Sequence, residues 1–449
     1  MPDRWNLKSG SHWSLYMFPA TRNLLLITAC SAEILRVRRT RVLNFQQVTM
    51  PYLAAFVPRR WNVQHVDEAV SPIDLDMPAD VVAITFHTPS AQHAYDIADR
   101  FRRRGATVVL GGPHVALMPD EAQEHADVIF IGEAESDWPR FLAEFETRRY
   151  RKRYGCDEAP ALDHVPASRH DLLYRHDHTA GALFATRGCV HRCDFCTLAV
   201  MYKSNFRKRR VEAVAAEYGS FPGKVVILWD DNIAGDIPYA KALFRALAPH
   251  RKWWSAQASI DAAADDEFLE LAARSGCKQL FIGLESISQA SVNGVSKGFN
   301  RVEEYAPAIA RIHSHGIAVQ PGIVFGFDHD TLSVFDDTVD FLEKTGVQNA
   351  TFNILTPFPG TRLHRQLEAE DRILTRNWSR YNGRDDVVFT PRLMSAAELL
   401  SGYRYANARF YSARSMCTRL AHSPVQLFWT LPLNVSYALA LRYRAKVPC

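Results

Sequence analysis

Arg187-Gly188-Cys189-Val190-His191-Arg192-Cys193-Asp194-Phe195-Cys196 is the stretch on which the reading of this chain turns. Its three cysteines follow the spacing Cys-x3-Cys-x2-Cys, and no fourth cysteine lies nearby. Three thiolates in one short loop can hold three corners of an iron–sulfur cube. One iron then stays open, and an open metal position is where a substrate or cofactor binds. The other reading of the same loop is a zinc site completed by a distant ligand such as His191 or Cys277.

Working outward, strand and helix patterns alternate on the carboxyl side of this loop. Six strands are expected, at 182–186, 225–229, 254–258, 280–284, 318–325 and 351–355, with helical patterns between them such as 265–275 and 301–315. Six consecutive βα units predict a partial barrel, whose chemistry sits at the carboxyl ends of its strands. The cysteine loop follows the first strand. The other strand ends carry Trp229-Asp230-Asp231-Asn232, Gln257-Ala258-Ser259, Gly283-Leu284-Glu285-Ser286, Gly322-Ile323-Val324-Phe325-Gly326 and Thr356-Pro357-Phe358-Pro359-Gly360-Thr361. Capping or turn chemistry explains any one polar tip. Five in register with the cysteine loop are not explained that way.

On the amino side, short β-branched runs at 24–28, 81–86, 107–110 and 128–131 read as buried strands, 62–66 as an edge strand and 91–104 as an amphipathic helix. This alternation predicts a doubly wound, Rossmann-like parallel sheet, which binds ligands at the carboxyl ends of its strands. Those ends carry His87-Thr88-Pro89-Ser90, Gly111-Gly112-Pro113-His114 and Gly132-Glu133-Ala134-Glu135. The glycines are either plain tight turns or points of close backbone approach to a ligand. No Gly-x-Gly-x-x-Gly occurs, so a nicotinamide or flavin dinucleotide is not indicated.

The 449 residues suit two or three domains, and 47% hydrophobic content is ordinary for a soluble globular chain. The expected division is 1–148 for the first domain, 149–180 for a linker, 181–375 for the partial barrel and 376–449 for a helical appendix. A net charge of +4 is too weak to argue for nucleic acid. Eight cysteines, five of them scattered, do not make a disulfide scaffold, so a reducing, cytoplasmic setting is expected. No secretory leader is read at the amino terminus. No apolar run reaches the ~20 residues that span a bilayer. The nearest, 425–441, contains Pro432, Asn434 and Ser436. It reads as a buried helical hairpin, or as a surface that rests on a membrane or caps a greasy substrate. The Tyr- and Arg-rich pattern at 396–414 (Tyr403, Arg404, Tyr405, Arg409, Tyr411, Arg414) either closes the site or packs on the barrel. Two basic runs, 148–153 and 206–210, read as solvated charge, with contact to a phosphate or an anionic substrate group as the alternative.

The Gly-Gly-Pro-His and Gly-Glu-Ala-Glu segments of the first domain resemble the cobalamin-binding domain fused to radical S-adenosylmethionine (SAM) enzymes. Residues 181 to about 370 resemble the radical SAM barrel itself. The resemblance implies that Cys189, Cys193 and Cys196 hold a 4Fe-4S cluster and that Phe195 packs near adenine. It implies that Asp230, Asp231 and Asn232 meet the amino end of SAM, with Gln257 and Ser259 beside them. Glu285 would face the ribose or methionine portion, and Gly322, Phe325 and Gly326 would line adenine. Cobalamin contacts would come from Thr88, Gly111, Gly112, Pro113, His114, Gly132, Glu133 and Glu135. One departure stands out. Many cobalamin folds carry Asp-x-His-x-x-Gly after the first strand, where the histidine ligates cobalt. Here that strand leads to Ala29-Cys30-Ser31-Ala32, and the near match His176-Asp177-His178-Thr179-Ala180-Gly181 lies in the linker. The expectation is a lower cobalt face without a histidine ligand, or a degenerate domain without cobalamin.

The resemblance further implies reductive cleavage of SAM to a 5′-deoxyadenosyl radical and methylation of an unactivated carbon of a small or lipid-like intermediate. A flavodoxin or ferredoxin would supply the electron. Ring formation or oxidative rearrangement is an alternative, as is a non-catalytic cobalamin or redox sensor. An RNA methylthiotransferase is disfavoured because Cys30 is the only cysteine of the first domain. Peripheral membrane contact through the carboxyl-terminal region is a further expectation.

Overall fold

The computed structural model describes residues 22–37, 47–155, 159–173, 180–203, 205–421, 423, 425 and 427–446. The near match at 176–181 therefore lies outside the described residues except for Ala180 and Gly181.

The first sheet is wholly parallel. Its strands are β1 (Arg22–Thr28), β2 (Trp61–Asp67), β3 (Val81–Thr85), β4 (Thr107–Gly111), β5 (Val128–Phe130) and β6 (Arg153–Tyr154), in the spatial order β2-β1-β3-β4-β5-β6. The order reverses between β1 and β3, the switch point at which such sheets open a ligand crevice. Strand β3 is buried on both faces, which is why it reads as an unbroken apolar run. The helix Ala91–Arg103 covers one face through Tyr95, Ile97 and Phe101. Trp138, Phe141 and Leu142 of Asp137–Glu146 cover the other.

Strand β6 corrects the linker reading. The basic run hides a two-residue strand whose Tyr154 is buried, stacked on Phe130 with ring centroids 5.1 Å apart. Leu162 and Val165, also in the supposed solvated segment, are buried against Val48, Tyr52, Ala182 and Phe184. Apolar side chains this sparse among many charges leave no periodicity to read, yet Leu162 and Val165 tie the two sheets together.

The second sheet is also parallel. It contains β7 (Gly181–Leu183), β10 (Val225–Leu228), β11 (Trp253–Ala258), β12 (Cys277–Glu285), β13 (Ala318–Phe325) and β14 (Thr351–Ile354), ordered β14-β13-β12-β11-β10-β7. Two short strands, β8 (Thr186–Arg187) and β9 (Arg207–Lys208), form an antiparallel pair beside it. The expected strand 182–186 is thus broken after Leu183. The Asp230 carboxylate accepts the Ala185 and Thr186 N–H groups and so ends sheet pairing there. Helices pack outside this sheet around a single large core that includes Phe244, Trp254, Phe268, Ile309 and Val339.

The carboxyl-terminal helix Ala396–Phe410 opens on a capping box between Ser395 and Glu398. It packs on Val334–Lys344, where a side chain at Gly402 would meet the Phe335 ring at 2.1 Å. Arg409 pairs with Asp336 and Asp340, and the Tyr411 hydroxyl bonds the Ala350 backbone. The Tyr- and Arg-rich segment therefore packs on the barrel and does not close the site. Residues 427–446 form one helix, not a hairpin, with Pro432 inside it. Trp429 donates to Gln279 at 2.8 Å and Tyr437 bonds Gln320 at 3.0 Å, both inside the barrel. Leu427, Phe428, Leu431, Val435 and Leu439 stay exposed on the other side. No helix among the described residues is long and apolar enough to cross a membrane.

Candidate active site

The cysteine loop lies at the carboxyl ends of the second sheet, where the sequence pattern placed it. Gly188 opens it with φ +87°, and a Cβ there would meet the Asn205 carbonyl oxygen at 2.1 Å, so only glycine fits. The loop is fastened to its surroundings: Asp194 N–H donates to Val295, the Asp194 carbonyl accepts from Leu363 N–H, and Cys196 N–H donates to the Cys193 carbonyl. Burial pushes the Cys193 thiol up to about 12 and Cys196 up to about 11, and each feels neighbouring thiols while Lys297 opposes the shift. Ligation must therefore displace protons from at least these two sulfurs.

The zinc alternative fails on position. Cys277 begins β12, at the opposite end of the sheet from the loop, and its thiol donates to the Gln279 carbonyl. The His191 ring lies flat on Phe299 at 3.7 Å. Among the described residues no three metal-binding side chains converge on a single-ion site, whereas a cube takes one sulfur per corner.

Strand parity sorts the remaining residues. Trp229, Asp231 and Gln257 line the cavity beside the loop. Asp231 accepts the Gly188 N–H at 2.8 Å, and burial raises its pKa. Asn232 receives the Ser259 N–H at 3.1 Å through Oδ1, and its Nδ2 reaches Ser259 Oγ at 3.2 Å and Cys189 Sγ at 3.9 Å. Asp230 is the correction. It points the other way and is fully buried by the Ala185 and Thr186 N–H groups and the Thr186 hydroxyl, so it shapes the loop and offers nothing to a ligand. Burial raises its pKa to about 7 despite those bonds.

Glu285 has φ +66° and pairs with Lys297 at 2.9 Å. Lys297 went unread in the sequence, yet it is the cation closest in effect to Cys193 and Cys196. Glu285 and those two thiols keep it protonated in spite of burial. Phe195 packs at the loop beside Phe327, with centroids 6.2 Å apart. Gly322 faces the Phe281 ring inside the barrel. Phe325 does not face the site: its ring is buried outside the sheet against Phe335 and Phe352 at 4.9 and 5.8 Å. Gly326 likewise backs onto Leu399 and Phe389.

In the first domain, Gly111, Gly112, Pro113, Gly132, Glu133 and Glu135 line a cavity of about 410 Å³, together with Thr186, Arg187, Trp229, Asp231 and Gln257 of the second. A Cβ on Gly132 would project into open space, so the missing side chain leaves room there, whereas one on Gly112 would strike Thr85 Oγ1 at 2.4 Å. This glycine-edged, largely apolar cleft fits a large flat cofactor. Thr88 and His114 turn away from it. His114 Nδ1 bonds Thr88 Oγ1 at 3.1 Å inside the domain, and Nε2 faces Glu121, which Trp378 also contacts.

Glu133 and Glu135 are not free either. Arg187 joins both, and Arg207 joins Glu133, so an ion-pair network crosses between the sheets at the cavity wall. The basic run at 206–210 is therefore internal at Arg207 and Arg209, whose charges are paired with Glu133 and Glu217, whereas Lys208 and Arg210 are exposed as the solvated reading expects. Its only sequence signal was the adjacency of Arg187 to the cysteine loop.

Three family models match the chain: the radical SAM superfamily over residues 183–342, the B12 binding domain over 37–142 and a domain of unknown function (DUF4070) over 361–428. Bacteriochlorophyllide d C-12(1)-methyltransferase of Chlorobaculum tepidum is 29% identical over 78% of this chain and 78% of its own length. Hopanoid C-2 methylase of Rhodopseudomonas palustris is 26% identical over 72% of this chain and 64% of its own. The solved structure of TsrM from Kitasatospora setae, a radical SAM methyltransferase with cobalamin and a [4Fe-4S] cluster bound, superposes with a TM-score of 0.69 at 14% identity, over 95% of this chain and 100% of that one.

Proposed function

Because the chain carries a B12-binding domain fused to a radical SAM domain, and so belongs to the cobalamin-binding radical SAM enzymes, we propose that it methylates an unactivated carbon of a small or lipid-like biosynthetic intermediate. One observation carries the reading. A single cavity runs from the glycine-lined strand ends of the first sheet to the strand ends beside the cysteine loop of the second. When bound, the cluster with SAM supplies a carbon-centred radical and cobalamin supplies a transferable methyl group.

The chain's own residues hold and enclose these groups. Cys189, Cys193 and Cys196 ligate the cluster. Asp231, Asn232, Gln257, Ser259 and the Glu285–Lys297 pair provide the polar wall for SAM. Phe195 supplies an apolar surface at the loop. Gly111, Gly112, Pro113 and Gly132 admit the cobalamin, and the Arg187–Glu133–Glu135–Arg207 network shuts the flank against water. Met50, Leu53, Phe56, Leu198, Met201 and Trp229 make the rest of the cavity apolar. That lining suits a greasy ring system, as does the likeness to enzymes named for bacteriochlorophyllide and hopanoid.

An acidic one-electron carrier of the flavodoxin or ferredoxin kind is the proposed donor. Arg192, Lys203, Arg362 and Arg365 are exposed around a cleft that also contains Cys193 and Cys196, so a negative partner would dock within reach of the cluster. The exposed apolar side of the helix Leu427–Lys446 is the proposed contact with a membrane surface, and a reducing cytoplasm is the proposed setting.

The test is anaerobic reconstitution with iron, sulfide and hydroxocobalamin, followed by turnover with trideuteromethyl-SAM and tetrapyrrole or hopanoid acceptors. About four irons and about one cobalamin per chain, with a labelled methyl on the acceptor, support the proposal. About four irons, no cobalamin and no methyl transfer overturn it.

A further inference from the structure

We propose that His87 is the axial ligand to the lower face of the cobalt in bound cobalamin. The inference rests on the reading of the cavity as a cobalamin site and assigns that site a residue which the sequence pattern did not. The expectation from the first strand was a cobalt without a histidine, because Ala29-Cys30-Ser31-Ala32 replaces the usual histidine-bearing turn. The structure explains why that turn supplies nothing. Ala29 N–H is bonded to the Thr85 carbonyl and Cys30 N–H to the Glu68 carboxylate, at 3.0 Å each.

An imidazole is nevertheless present one strand away. His87 lies two residues past the end of β3, next to the β1–β3 switch point where doubly wound sheets receive their ligands. Its neighbours Phe86 and Thr88 are buried, while His87 itself is exposed and lines the cavity. Among the described residues it is the one histidine in that lining.

The other histidines described in this domain are all occupied. His65 bonds Thr28 and the Leu172 carbonyl, His93 bonds Glu68, His114 bonds Thr88 and Glu121, and His125 bonds Asp99. The His87 imidazole has no hydrogen bond to any described residue. In its neutral form the ring offers one nitrogen lone pair. A neutral imidazole that faces a cleft and has no partner among the described residues is the donor a first-row metal takes.

The ligand can be read directly from the metal. Protein is prepared with natural and with 15N-labelled histidine, loaded with hydroxocobalamin, reduced to cob(II)alamin and examined by electron paramagnetic resonance, with bound cobalamin quantified in parallel by absorbance. The expected spectrum of the natural protein shows three-line nitrogen splitting, which becomes two-line on 15N-histidine labelling. H87A should bind cobalamin without that splitting, and added imidazole should restore it. Stoichiometric cobalamin with no nitrogen splitting overturns the ligand assignment and leaves the cobalamin site standing. A three-line pattern unmoved by histidine labelling also overturns it, because the nitrogen is then the cofactor's own base. Failure of the unsubstituted protein to bind any cobalamin removes the underlying reading, and the proposal with it. The labelling arm needs no variant, so a poorly folding H87A does not spoil the test.

Discussion

Replacing Glu217 by glutamine removes one negative charge from the junction between the two sheets while keeping the side chain's shape. Glu217 Oε1 accepts from the Tyr52 hydroxyl at 2.9 Å, from the Ser168 N–H at 2.9 Å and hydroxyl at 3.0 Å, and faces His170 Nε2 at 3.2 Å. Its Oε2 lies 2.8 Å from Arg209 Nη1, and neither side chain has more than 1% of its surface exposed. Tyr52 belongs to the first domain and Glu217 to the barrel, so this carboxylate fixes one against the other. Glutamine must turn either its Nε2 toward the guanidinium or its donor toward the Ser168 N–H. Either choice sets donor against donor and leaves Arg209 buried without a counter-charge.

Removing one partner of a buried pair typically costs about 3–5 kcal/mol. The depressed ionisation of the carboxyl group gives a second figure of the same order. Burial alone would raise the Glu217 pKa, but His170, Arg209 and the Ser168 amide hold it down at about 2 against an ordinary 4.5. At ~1.36 kcal/mol per pH unit that difference favours folding by ~3 kcal/mol. The folded value is depressed, so the contribution is complete above pH 4.5 and disappears as pH falls through about 2. Urea denaturation of E217Q at pH 7 should therefore show a loss of ~3 kcal/mol. The acid limb of stability between those two pH values should be shallower than in the parent. The helix Thr49–Ala55 lines the cavity, so E217Q should also retain less cobalamin through desalting. A variant within ~0.5 kcal/mol of the parent at pH 7, or one with an unchanged acid limb, refutes the account.

Three further outcomes follow from the site. G112A adds a Cβ 2.4 Å from Thr85 Oγ1 at φ +98°, whereas G132A at φ +85° meets nothing within 4 Å. Denaturation should show G132A losing ~1–2 kcal/mol from backbone strain and G112A losing clearly more, and equal losses would refute the close approach at Gly112. N232A removes the N–H···S contact to Cys189. Redox titration of the reconstituted cluster should show a midpoint more negative by ~40 mV, the one-electron equivalent of a ~1 kcal/mol contact, and a positive shift would sink the assignment. R192E combined with R365E reverses charge at the cleft beside Cys193 and Cys196. Cluster reduction by an acidic flavodoxin should slow at least ~10-fold at low salt, while reduction by dithionite holds, and equal slowing by both reagents would rule out a docking role.

Which of these residues could be read from the chain alone depends on what kind of order placed them. The cysteine loop and the glycine-bearing strand ends are local: spacing and alternation put them at the carboxyl ends of two parallel sheets. The ends of β10 and β13 show where local order stops being informative. Both strands are buried on two faces, so apolar residues run without alternation and the pattern does not say which side chains face inward. Asp230 and Asp231 are chemically identical in the sequence. A one-residue difference in parity makes the first a buried clamp on Ala185 and Thr186 and the second part of the cavity wall. Phe325 falls on the wrong parity for the same reason. The Glu285–Lys297 pair needs a turn of twelve residues to close, and the Arg187–Glu133 pair bridges two domains. Neither leaves a local trace, because each charge looks like ordinary surface until the fold buries it. His87 joins both cases. Its strand marks it as a tip, but only the three-dimensional arrangement shows that the neighbouring histidines are all engaged and that this imidazole faces the shared cavity. The residues that most constrain the chemistry are therefore those whose partners are brought together by the docking of one sheet on the other, and it is that docking which E217Q perturbs.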